Sequence, residues 1–64
     1  MNGNAVREIR EKLLLSKAEL ARKAGVSSLT VDRIEKGMSC RLETQRKIIG
    51  ALGYKISDKD KVFP

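Results

Sequence analysis

The chain has 64 residues, with 14 Lys and Arg against eight Asp and Glu, a net charge of +6, one cysteine and no histidine. This is enough for one small domain, and it excludes an internal disulfide and a histidine-containing zinc site. No apolar run approaches the ~20 residues of a membrane span, and no secretory signal pattern precedes the first helical stretch. A soluble, cytoplasmic chain is therefore expected, held together by helix packing and dimerisation, with no cofactor.

Residues 1–3 read as a disordered start. Asn4 is a candidate cap for a first helix running to about Leu14, with Val6, Ile9 and Leu13 on one face. Arg7–Glu11 and Glu8–Lys12 are i, i+4 charge pairs on the other face. Ser16 and Glu19 form a capping box for a second helix, with Leu15 placed to staple onto Leu20. Leu20, Ala21 and Ala24 make that helix's apolar face. Gly25 ends it, because glycine enters the left-handed region without steric cost. Ser27 caps a third helix, with Val26 stapled onto Val31 and with Val31 and Ile34 facing inward. Gly37 closes this helix behind Lys36. A fourth helix is predicted over residues 42–52, burying Leu42, Ile48, Ile49 and Leu52, with Gln45 either at the core's edge or hydrogen-bonded. Residues 54–64 form a short tail. Its first residues are open to an extended course, Ser57 is a candidate cap for one short turn, and Val62 and Phe63 are too apolar for solvent.

The order small residue, glycine four later, then apolar residues one, six and nine beyond it reads as a helix-turn-helix, although an ordinary αα-hairpin uses similar spacing. With these residues on the page, the chain resembles the lambda-repressor-like, Cro/C1-type helix-turn-helix domains. The resemblance covers residue 5 to about residue 53. It is carried by Arg10, Ser16-Lys17-Ala18-Glu19-Leu20-Ala21, Gly25-Val26-Ser27, Val31-Asp32-Arg33-Ile34-Glu35-Lys36-Gly37 and Leu42-Glu43-Thr44. It implies a single all-α domain, a compact bundle of four to five helices whose third helix lies in the major groove. It also implies a sequence-specific transcriptional regulator, usually a dimer on a palindrome. At the positions of Arg10 and Glu35 it implies a buried ion pair tying the first helix to the third. The chain departs from the family pattern at Leu14-Leu15, where relatives often begin the turn with glycine. It also departs at Lys17, in place of a glutamine that bonds phosphate and braces the recognition helix, at Cys40-Arg41, and in a tail too short for a full fifth helix.

A recognition helix reads bases from its exposed N-terminal half, which gives Ser27, Ser28, Leu29, Asp32 and Arg33 as candidate base readers. Arg33 leads, because a guanidinium matches guanine O6 and N7 with two hydrogen bonds. Ser28 discriminates weakly, Leu29 suits a thymine methyl group, and Asp32 either accepts from cytosine N4 or orients Arg33. Phosphate anchoring falls to Lys17, Lys36 and Arg41, with Thr30 as a hydroxyl donor. Arg22, Lys23, Arg46 and Lys47 read as solvated faces. Arg41 beside Cys40 is placed to lower the thiol pKa, but a lone cysteine is ordinarily incidental.

The residues provide no catalytic constellation, so an enzyme is not expected. The expected partners are double-stranded DNA and a second copy of the chain, with no membrane and no small-molecule ligand. The rival reading is a protein-interaction module, such as an antitoxin, antirepressor or adaptor. Its feature is the tail of residues 54–64, read as an extended segment able to add to a partner's sheet or to complete a homodimer.

Overall fold

A computed structural model describes residues 4–64, and the expected disordered start lies outside them. Five helices run α1 (Val6–Lys12), α2 (Lys17–Ala24), α3 (Ser28–Glu35), α4 (Leu42–Ala51) and α5 (Lys59–Val62), with a 3₁₀ turn, Ile56–Asp58, leading into α5. Among the described residues there is no strand, and no helix is long and apolar enough to cross a membrane.

Local chemistry starts the central helices. Ser16 Oγ accepts from the Glu19 N–H at 3.0 Å, and Glu19 Oε1 accepts from the Ser16 N–H at 2.8 Å, closing the capping box ahead of α2. These bonds hold the Glu19 carboxyl below its ordinary pKa, so their support fades as pH falls through the carboxylate range. Ser27 caps α3 by accepting from the Thr30 N–H at 3.1 Å. Asn4 works from one position further out than a simple cap. Its Oδ1 accepts from the Val6 N–H at 3.1 Å, while its Nδ2 donates to the Ile34 carbonyl at 2.7 Å. One side chain thus starts α1 and stitches it to the end of α3.

The first four helices stop in the same way. Each closes with paired bonds, as in Leu15 N–H to Arg10 O with Leu14 N–H to Glu11 O, and Val26 N–H to Ala21 O with Gly25 N–H to Arg22 O. This is the Schellman arrangement, which needs one residue in the left-handed region. Glycine fills that position at Gly25, Gly37 and Gly53, but α1 uses Leu14, at φ 58° and 88% exposed. A side chain there costs roughly 1–2 kcal/mol and gains almost no burial in return. Leu14→Gly is therefore expected to stabilise the domain by about 0.5–1 kcal/mol net of glycine's greater freedom in the unfolded chain. A thermal melt should show the midpoint rising by a few degrees; an unchanged or lower midpoint would show that the leucine is supported by contacts.

The core joins Val6 and Ile9 of α1, Leu20, Ala21 and Ala24 of α2, Val31 and Ile34 of α3, Ile48 and Ile49 of α4, and Leu52 and Val62 beyond. A fully buried aliphatic side chain of this kind contributes roughly 1.5–3 kcal/mol. Helix α2 packs on both α3 and α4, and α1 packs on α3.

Three sequence expectations fail at the ends of elements. Leu13 is 49% exposed, because α1 ends at Lys12 and the chain is already turning away when the apolar face reaches Leu13. Leu42 is 74% exposed, at the first position of α4. The Ser57 cap is not found in the tail: Lys55 is extended, but Ser57 lies inside the 3₁₀ turn, which has no side-chain cap bond. The tail folds back instead. Val62 is fully buried, and its carbonyl accepts from the Ala5 N–H at 2.8 Å, which fastens α5 to the start of α1.

Candidate nucleic-acid interface

Helix α3 presents one side to the core through Val31, Ile34 and Glu35 and leaves Ser28, Leu29 and Arg33 exposed on the other. The inner side is anchored by an ion pair between α1 and α3. Arg10 Nε donates to Glu35 Oε2 at 2.6 Å and Arg10 Nη2 to Glu35 Oε1 at 3.2 Å, while Nη1 donates to the Leu15 carbonyl at 2.8 Å. The fork-on-fork geometry fixes the rotation of α3 about its own axis. Both side chains are almost wholly buried, and among the described residues no buried side-chain polar atom lacks a partner. The hydrogen bond to Glu35 raises the already high pKa of Arg10 against the opposing effect of burial, so the guanidinium stays charged.

Two groups of polar residues border the exposed side. On the first, the two oxygens of Asp32 hold two lysines: Lys17 Nζ lies 2.6 Å from Oδ1, and Lys36 Nζ 2.9 Å from Oδ2. The hydrogen bond from Lys17 and then that from Lys36 lower the Asp32 carboxyl from the ordinary 3.8 to about 2. Its folded-state pKa is depressed, so its contribution is present above the ordinary carboxylate range and is lost as pH falls from about 4 towards 2. Asp32, expected among the base readers, is therefore occupied by lysines. Lys17, from the N-terminus of α2, ties that helix to α3 through this contact.

The second border is a cleft of about 480 Å³ between α3 and the start of α4, lined by Thr30, Arg33, Ser39, Arg41 and Thr44 among others. Arg33 and Arg41 are both exposed, and among the described residues no carboxylate pairs with either. Guanidinium and hydroxyl groups converging on one cleft suit a phosphate or a base edge. Ser27 and Thr30, expected as base reader and phosphate donor, bond each other through their hydroxyls at 2.8 Å, and Ser27 is committed to its cap. Leu29 remains 56% exposed. Arg22, Lys23, Arg46 and Lys47 are exposed, as expected for solvated faces.

Sequence reasoning missed Ser39 and Thr44, which line the same cleft as the two arginines. It also missed Lys17–Asp32, a contact between residues 15 apart that depends on the angle between α2 and α3. Cys40 lies in the loop before α4. Its thiol is half-buried, and burial raises its pKa, with a hydrogen bond to Gln45 opposing it. Arg41 does not activate it, and Gln45 is only partly buried, at the edge of the core. No group of His, Cys, Asp and Glu among the described residues is arranged to hold a metal ion.

Compared with known proteins, residues 6–59 match a family model described as helix-turn-helix. No curated protein matches the chain.

Proposed function

Because this chain belongs to the Cro/C1-type helix-turn-helix family of DNA-binding regulators, we propose that it is a sequence-specific transcriptional repressor that binds a palindromic operator as a homodimer. Residues 28–36 enter the major groove, with Ser28, Leu29 and Arg33 meeting base edges. Lys17, Lys36 and Arg41 lie against the flanking phosphates. The observation that carries this reading is the exposed side of α3, whose arginine has no carboxylate partner among the described residues, set between two basic borders. A net charge of +6 supplies the long-range attraction that brings such a surface to DNA.

Selection of bound sequences from a randomised duplex pool tests the proposal. An inverted repeat with half-sites ~10 bp apart is expected. Weak salt-sensitive binding without enrichment would sink the sequence-specific reading. Lys17→Ala should weaken operator and random duplex alike and lower the salt slope by up to about one; an unchanged slope would remove Lys17 from the anchors.

The rival protein-interaction module relied on an extended tail at residues 54–64. That support is reduced, because Val62 is buried in the core and Phe63 packs against it. Recovery of a tight protein partner with no preferred DNA would restore the rival.

A further inference from the structure

Resting on the DNA-binding reading, we propose that Asp32 holds down the phosphate-driven part of DNA binding by occupying Lys17 and Lys36. The geometry favours this over a routine surface ion pair. Each carboxylate oxygen holds a different ammonium group, at 2.6 and 2.9 Å, and the two lysines come from different ends of the surface: the first residue of α2 and the end of α3. The Asp32 side chain is three-quarters covered, whereas both lysines remain open to solvent. The carboxylate sits between the lysines, and they reach DNA only by sharing or leaving it.

Random duplex is bound almost entirely through phosphates, by displacing condensed counterions. A lysine held on a carboxylate displaces fewer of them. Operator binding also draws on base-edge contacts from Arg33 and its neighbours, which do not depend on either lysine. Neutralising two lysines therefore weakens the phosphate-driven attraction that operator and random duplex share. Arg33 and Arg41, without carboxylate partners among the described residues, keep their full charge for the contacts that position and read the duplex.

The test uses the full chain, a random-sequence duplex and the selected operator, with melting curves to verify folding. Asp32→Asn keeps the shape and removes the charge. It should bind random duplex more tightly at low salt and lose about tenfold more affinity than the parent between about 50 and 200 mM salt, as two added phosphate contacts require. Asp32→Glu should restore the parental slope. Adding Lys17→Ala and Lys36→Ala should abolish the gain. An unchanged slope in Asp32→Asn overturns the proposal, as does a gain that survives loss of both lysines, because the carboxylate would then be repelling phosphate directly. If Asp32→Asn does not fold, Lys17→Ala with Lys36→Ala in the parent keeps the question open to test. Held lysines predict a fall in slope well short of the roughly two units expected of free ones, and a full fall overturns the proposal. Failure of the parent chain to bind any duplex would instead defeat the DNA-binding reading itself.

Discussion

Replacing Arg10 by methionine is expected to destabilise the domain by about 3–5 kcal/mol, the usual cost of removing one member of a buried pair. The cause is the group left behind. Glu35 is nearly inaccessible and takes both of its charge-assisted bonds from Arg10, so the variant strands a carboxylate beneath α3. A chain of this length has total stability of roughly 3–10 kcal/mol, so much of the population should be unfolded at ordinary temperature. Urea titration followed by helical circular dichroism would measure it. The double variant Arg10→Met with Glu35→Leu should recover most of the loss, since apolar replacement of a whole buried pair is often neutral or better. If the double variant stayed as unstable as the single one, the penalty would come from lost packing or from the bond to the Leu15 carbonyl, and the pair would not be its source.

Replacing Arg33 by alanine should cost about 1–3 kcal/mol at the selected operator and relax preference at one base pair. Affinity for random duplex should change far less. The argument rests on placement: Arg33 is exposed, borders the cleft with Arg41, and makes no ion pair among the described residues. Arg33→Lys keeps the charge but loses the two-pronged donor, so it should not restore the base preference. Equal losses on operator and random DNA would reassign Arg33 to the phosphate backbone. Parallel binding isotherms on the operator and its single-base variants would decide between these outcomes.

The features legible in the chain were those written into neighbouring residues. Ser16 with Glu19, Gly25 and Ser27 each act within a few positions, so α2, its turn and the start of α3 follow from local rules. The inward positions Leu20, Val31, Ile34 and Ile49 follow from helical period. Period alone misplaced Leu13 and Leu42, because it says which face a residue occupies and not whether another element covers that face. The tail was obscure for a related reason: α5 is four residues long and is held by the docking of Val62 beside Ala5, which no local signal encodes. On the functional surface, Arg33 and Arg41 were readable as exposed cations. The capture of both lysines by Asp32 was not, because opposite charges on different helices meet only once the angle between α2 and α3 is set.

The bond between Ala5 and Val62 bears on the order in which the domain assembles. Synthesis proceeds from the N-terminus, and α2 with α3 carries its own start and stop instructions, so that pair can take shape while later residues are still being added. Helix α1 cannot finish in the same way. Its first turn shares the core with a residue near the other end of the sequence, and that core stays open until Val62 has left the ribosome. The reading helix is thus supported early by its local caps, and the packing that makes it rigid is completed only once Val62 reaches the core.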